Sequence, residues 1–512
     1  MKKVRVLQLG TSDFSKSMQI SEYAKWFYEP DFSQLTEKEF DVAILDREVS
    51  EDEFDFLVRS LRAYTLFATE GVHLMEGGIT QQLMARKKGK QISTEDLPAL
   101  LKEDLPDYFS ESYGDKFKVQ GLSVAQGFKG KVFWRGFEGV KLFGEFGNEL
   151  TQIAFWRYNT QIDGDQALEY WLEYTKDASV EILLEVTIIR FGFGTFPESK
   201  EVLVFTEKDL EDVICIDNRG NSIRFPFISL KARGTGNLAV IALHSRYSRR
   251  GKGNFIPGGK RSVTSDREEV FYYFDPGNLT PPLNVYFSGY KTKEGFEGYG
   301  IMRRMGHPFL LVSEARLEGG GAYIGSEEYE NTIEQIIRDH MEELGFQPSE
   351  VIMSGISMGS FGALYYGCRI QPYAILLGKP LASLGDIAEN ERINRPGVFP
   401  TSLDLLYKFC GNLSKDAARR LNDKFWSVFD ETEWHNTQFA VAYMIEDDYD
   451  KTAYEKLQSH LKGTGVKIYG KGLHGRHNDN TTGIVNWFLN QFHRIVQNDF
   501  ENMRNETGGQ RR

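Results

Sequence analysis

A serine stands between two glycines in Gly355-Ile356-Ser357-Met358-Gly359, one residue after the apolar run "VIM" and straight before a segment that reads as a helix. Side chains two residues either side of a serine collide when the chain turns sharply enough to lift the hydroxyl into the open. Glycines at both places therefore suit a nucleophile on a strand-to-helix turn. The pattern alone is weak in a chain with 50 glycines, and a tight loop that happens to carry a serine has it too. A serine hydroxyl is a poor nucleophile at neutral pH and needs a base, for which histidine is the usual residue. Of nine histidines, His474 and His477, in "GKGLHGRHNDN", lie in the loop between the last strand and the last helix. That is where α/β-hydrolases carry their base. His477 is preferred, because the helix signal "NDNTTGIV" follows it more closely.

The imidazole in turn needs a carboxylate to fix its tautomer. "FAVAYMIEDDYD" delivers Glu446, Asp447, Asp448 and Asp450 where a strand ends. Asp447 is favoured, with Glu446 next, and at least two of the four are expected to cap the helix that begins near Thr452. The cluster lacks the glycine and distal glutamate of a calcium loop, so no metal is expected. Two backbone amides must meet the oxyanion of acyl transfer. Met358 N–H supplies one and Tyr290 N–H, in "NVYFSGY", is the candidate for the other, with Gly289 allowing close approach. No tightly bound cofactor is expected, and no phosphate-cradling motif identifies the acyl donor, acetyl-CoA being one candidate.

The elements that must hold these residues read as a mixed α/β protein. Residues 1–112 alternate strands such as "VRVLQLG" and "FDVAILD" with helical stretches, a small α/β unit whose polar turn "GTSDFS" could hold a ligand or be an ordinary loop. Residues 113–270 are rich in short alternating runs, expected to form a β-sandwich or jelly roll. There Trp134, Trp156, Trp171 and Tyr247, with Arg135, Arg157 and Arg246, form either a sugar-binding face or the core of the sandwich. "RRGKGNFIPGGKR" reads as a solvated loop, continuing through "SVTSDREEVFYYFDPGNLTPP" as a linker. Residues 271–512 alternate strands and helices, the order of an α/β-hydrolase-like domain with a parallel sheet. An insertion at 384–437 is expected to form a lid or a packed subdomain.

The 512 residues carry a formal charge of −12, which argues against general nucleic-acid binding, although a local basic patch remains compatible with it. Three widely spaced cysteines, Cys215, Cys368 and Cys410, suit buried thiols in a reducing compartment. The opening "MKKVRVLQLGTSDF" lacks a signal-peptide h-region, and the apolar runs are too short to span a bilayer, so a cytoplasmic protein is expected.

With "LQLGTSDFS", "GISMGSFGALYYG", "YMIEDDYD" and "LHGRHNDN" the chain resembles, over essentially its whole length, the family of second accessory secretory proteins of the Gram-positive accessory Sec system. The resemblance implies O-acetylation of N-acetylglucosamine on serine-rich-repeat glycoprotein adhesins, together with a role in their export. It implies companion accessory secretory proteins and a SecA-type motor as partners, and a cytoplasmic place, with peripheral association at the inner face of the membrane through the translocase. It places the catalytic serine at Ser357, the histidine at His477 and the acid within 446–448. Two other readings stay open: a carbohydrate esterase or deacetylase using the same triad, and an export scaffold without catalysis.

Overall fold

The computed structural model describes residues 3–110, 112–157, 160–191, 197–218 and 222–501, which build three sheets. The first has five parallel strands in the order Ala24–Tyr28, Val4–Gly10, Val42–Asp46, Leu66–Thr69, Lys90–Ile92. Its inner strands are almost wholly buried because helices and loops cover both faces, so they read as continuous apolar runs. Helix Glu51–Ser60 starts at a capping box in which Ser50 and Glu53 satisfy each other's backbone N–H groups. The polar turn "GTSDFS" is occupied by its own bonds. Asp13 accepts from Ser15 N–H, and the Gln8 carboxamide bridges Ser12 O and Phe14 N–H.

The middle region is one nine-stranded sheet curled around a single apolar core, with Gly139–Trp156 and Phe225–Tyr247 shared between its halves. "SIRFPFISLKA" and "NLAVIALHSRY" are thus one strand. Gly234 and Gly236, at φ +100° and +148°, absorb the bend between them without ending it. The seven residues weighed as a sugar face do not share one. Trp156 and Trp171 are 5% and 2% exposed in the interior, while Trp134 is 53% exposed. Arg246 is buried between Glu269 and Glu294, because a guanidinium inside a sheet must be paired. The glycine-bearing end of "VEILLEVTIIRFGFG", residues 192–194, lies outside the described residues.

The third sheet begins at Lys260, inside the segment read as a linker. Lys260–Val263 and Glu269–Asp275 form an antiparallel edge. Six parallel strands follow in the spatial order Phe309–Glu314, Leu283–Phe287, Val351–Ile356, Ala374–Gly378, Gln438–Met444, Ile468–Leu473. "EVFYYFD" pairs rather than links because its apolar side chains complete the core on both sides of the sheet. The loop "RRGKGNFIPGGKR" is likewise anchored. Phe255 and Ile256 are buried, and Arg249 donates to the carbonyls of Asp107, Phe109, Ser110 and Phe255. Of the cysteines only Cys368 is buried; Cys215 is exposed and Cys410 half-buried.

The insertion folds as three helices, Leu384–Ile393, Thr401–Cys410 and Lys415–Glu431. Phe425 and Phe429, 0% and 1% exposed, fix it to the main core, with Phe425 packing at 5.4 Å on Phe361 of helix Met358–Ile370. Each buried ring contributes at most about 3 kcal/mol. A second brace comes from the middle sheet, where Asp404 of the insertion accepts Phe137 N–H at 3.1 Å. Gly136 is required there, since a Cβ would lie 1.8 Å from an Asp404 carboxylate oxygen.

Burial, with the nearby Glu138 and Glu318, pushes the Asp404 carboxyl up to about 6. A raised acid holds its proton in the native state where the unfolded chain has lost it, so the fold loses stability as pH rises through about 6 and the buried carboxyl must ionise beside Glu138 and Glu318. Asp404→Asn, which keeps an acceptor for Phe137 N–H, is expected to raise the melting temperature by about 1–3 °C at pH 7.5. Near pH 4 it should match the parent. Equal shifts at both pH values would rule out titration of Asp404 as the cause.

Among the described residues, no helix is long and apolar enough to cross a membrane.

Candidate active site

Strand Val351–Ile356 is buried in the middle of the third sheet and ends at Ser357, whose φ of 57° and ψ of −125° put it in a conformation a non-glycine residue rarely adopts. Both flanking glycines are forced by contact. A Cβ on Gly355 would lie 2.1 Å from Gly359 O, and one on Gly359 would lie 2.1 Å from Phe287 O. The turn is pinned by Ser357 N–H donating to Gly378 O at 2.8 Å. Ser360 Oγ adds to this by donating to Ser357 O at 2.5 Å and accepting Leu381 N–H at 2.8 Å. Helix Met358–Ile370 starts at the next residue, so its free amides and the positive end of its dipole sit beside the hydroxyl.

His477 reaches this hydroxyl from the loop after Ile468–Leu473. Its Nε2 lies 2.8 Å from Ser357 Oγ, and its Nδ1 lies 2.9 Å from Asp447 Oδ2. With Nδ1–H donating to the carboxylate, Nε2 is left to accept the serine proton. His477 is 1% exposed and Asp447 5%, so the relay is shielded from bulk water. Burial alone would raise the Asp447 carboxyl. His477 and the amides of Tyr449 and Asp450 outweigh it and hold Asp447 below its ordinary value. Asp447 therefore stays anionic, able to stabilise an imidazolium.

The neighbouring acids are sent elsewhere. Glu446 accepts from His474 Nδ1 at 3.0 Å and Gly475 N–H at 2.6 Å, and His474, 85% exposed at its side chain, does not approach Ser357. Asp448 accepts His477 N–H at 3.0 Å and so positions the base through its backbone. Asp450 binds the amides of Ala382 and Ser383. The expected helix caps are not formed: Thr452, not an acid, precedes Ala453–His460 and makes no side-chain cap bond.

Three residues that the sequence reading did not single out complete the surroundings. Tyr449 lies flat on the His477 ring, 4.1 Å between centroids and 2° between planes. The Arg395 guanidinium sits 3.9 Å over the Tyr449 ring, hence on its other face, and Phe399 stacks beside it at 5.8 Å. Arg395 and Phe399 come from the insertion, and Phe399 also meets Tyr290 edge-on at 5.4 Å. The insertion thus contributes to the wall of the site. The aromatic inside "EDDYD" was the available signal for Tyr449; nothing local marks Arg395 or Phe399.

For the oxyanion, Met358 N–H is the first amide of its helix and has no intrahelical acceptor. Gly289 N–H is taken by Glu297 at 2.7 Å, whereas Tyr290 N–H has no protein acceptor among the described residues. A Cβ on Gly289 would come within 3.0 Å of Ile356 O, so the glycine is what lets this loop lie against the serine-bearing strand. A strained serine, an imidazole, a buried carboxylate and uncommitted amides are together the parts needed to form and break an ester bond.

The family model described as accessory Sec system GspB-transporter matches residues 4–502. The second Asp protein of the accessory Sec system from Streptococcus gordonii is 40% identical over 507 residues, 96% of this chain and 98% of that one. Its counterpart from Staphylococcus aureus (strain NCTC 8325 / PS 47) is 42% identical over 398 residues, 77% of this chain and 74% of that one. Among solved structures, the Glycosylation Associate Protein (Gap123) complex from Streptococcus agalactiae holds a chain that is 32% identical. It superposes with a TM-score of 0.85 over 98% of this chain and 99% of that chain.

Proposed function

The chain belongs to the accessory Sec system GspB-transporter family, and on that premise we propose that it is a serine-nucleophile O-acetyltransferase that modifies N-acetylglucosamine on serine-rich-repeat glycoproteins and supports their export. The observation that carries the catalytic part is the relay Ser357 Oγ, His477 Nε2, His477 Nδ1, Asp447 Oδ2, at 2.8 and 2.9 Å. The substrate follows from the family resemblance.

In this reading Ser357 Oγ attacks the acetyl carbonyl of the donor while His477 Nε2 takes its proton. The oxyanion forms against Met358 N–H and Tyr290 N–H. His477 then returns the proton to the departing group, leaving acetyl on Ser357. A sugar hydroxyl enters next, gives its proton to the same Nε2 and attacks the ester, and collapse of the second intermediate frees Ser357. Asp447 holds the tautomer through both halves. An esterase would run the same steps with water as acceptor, and the aromatic wall of Tyr449, Phe399 and the partly exposed Tyr290 offers a sugar ring apolar faces to lie on.

The protein is proposed to act on the cytoplasmic side of the membrane, at the translocase, beside companion accessory secretory proteins and a SecA-type motor. The Gap123 complex holding a chain of this fold supports the companions. Intact-mass spectrometry tests the covalent step: brief exposure to p-nitrophenyl acetate or acetyl-CoA should add one acetyl group to the parent and none to Ser357→Ala. An adduct of equal yield in both would remove Ser357 from the nucleophile's place.

A further inference from the structure

A groove enclosing about 760 Å³ lies on the seam between the first and third sheets, and its charge is opposite to that of the chain. Across the sequence Asp and Glu outnumber Lys and Arg, 73 to 61. Among the fifteen residues lining the groove, six are Arg or Lys and two are Glu or Asp. The carboxylates in reach are already engaged: Glu39 pairs with Arg303, Asp275 accepts Gly277 N–H, and Glu501 faces His307.

Arg59, Arg86 and Arg304 have no carboxylate partner among the described residues. Arg86 spends one N–H on Gly277 O at 3.0 Å, and Arg304 one on Gly300 O at 2.9 Å. Burial pushes the Arg86 guanidinium below its ordinary value, and the charges of Asp275 and Asp55, neither of which reaches it as an ion pair, offset this only in part. Lys87, by contrast, is spent on the carbonyls of Val58 and Leu61 and holds the wall. The groove opens beside Gly306, where the chain enters the start of strand Phe309–Glu314. The candidate triad sits at the opposite, C-terminal ends of the parallel strands.

We propose that this groove, lined by Arg59, Arg86 and Arg304, is a binding site for a phosphate-bearing ligand, separate from the acyl-transfer site. Three guanidiniums without an ion-pair partner outnumber the two carboxylates that line the same concavity, and they match the charge and forked geometry of one or two phosphate groups. The phosphate comes either from a free polyanion or from a lipid headgroup, and the two are separable by experiment.

Titration of the full chain with tripolyphosphate at low ionic strength should give saturable heat, and 0.5 M NaCl should weaken binding at least tenfold. Arg59→Gln with Arg304→Gln, both solvent-facing, should also weaken it at least tenfold. Arg304→Gln alone should give a smaller loss, which keeps the result readable if the double variant is unstable. Ester cleavage by Ser357 should stay at the parent level. Flotation with phosphatidylglycerol vesicles, absent with phosphatidylcholine and lost in the double variant, would identify the source as a headgroup. The proposal is overturned if neither tripolyphosphate nor phosphatidylglycerol vesicles bind, if binding is indifferent to the substitutions, or if polyglutamate binds in place of either.

Discussion

Acetyl transfer to a glycoprotein bearing N-acetylglucosamine is expected to fall by about six orders of magnitude in Ser357→Ala, to the level left by binding and the oxyanion amides alone. The size follows from the relay acting as one unit: without Oγ, His477 Nε2 has no proton to take and no covalent intermediate forms. Folding should survive. The hydroxyl loses one 2.8 Å bond to His477, while the turn keeps Ser357 N–H on Gly378 O and Ser360 on Ser357 O. Alanine also tolerates the φ of 57° no worse than serine, since both carry a Cβ. The measurement is single-turnover acetylation beside a thermal melt. Unchanged acetylation in a folded variant would leave the scaffold reading standing, and export measured in the same variant would tell whether transport depends on the chemistry.

The meeting of Ser357 and His477, the candidate nucleophile and base, was legible because each is marked by what surrounds it. Gly355 and Gly359 are glycines for contact reasons that any sharp strand-to-helix turn imposes, and His477 sits where a last helix must begin. Which carboxylate meets the imidazole was less legible, since Glu446, Asp447 and Asp448 are adjacent and share a charge. What separates them is the turn after Gln438–Met444, where Asp447 N–H folds back on Met444 O and sends the three side chains in different directions. The strand Phe225–Tyr247 reads in the sequence as two runs, because a glycine-bearing turn signal lies between them. Gly234 and Gly236 instead bend a strand that continues, since both its halves still find partners. Arg395 and Phe399 were out of reach for another reason. Their place against Tyr449 depends on how three inserted helices dock through Phe425 and Phe429, a tertiary fact without local periodicity.

Asp447→Asn should cut the maximal acyl-transfer rate by about four orders of magnitude, because an amide at this position can face Nδ1 with its NH₂ and leave the imidazole in the tautomer whose Nε2 carries a proton. The carboxylate has a second effect: Asp447, held anionic by His477 and two amides, stabilises the imidazolium that forms as Ser357 attacks. Single-turnover acetylation in each variant reads both effects together. Glu446→Gln should leave the rate nearly unchanged, since its partners, His474 and Gly475 N–H, lie at the surface away from the serine. Asp448→Asn should lie between the two, because Asp448 only accepts His477 N–H and shifts the base without facing its ring. A rate lost in Glu446→Gln and kept in Asp447→Asn would transfer the role to Glu446. A rate intact in both would mean that Ser357 and His477 work without an acid, and that Asp447 is held at 2.9 Å from the imidazole for packing alone.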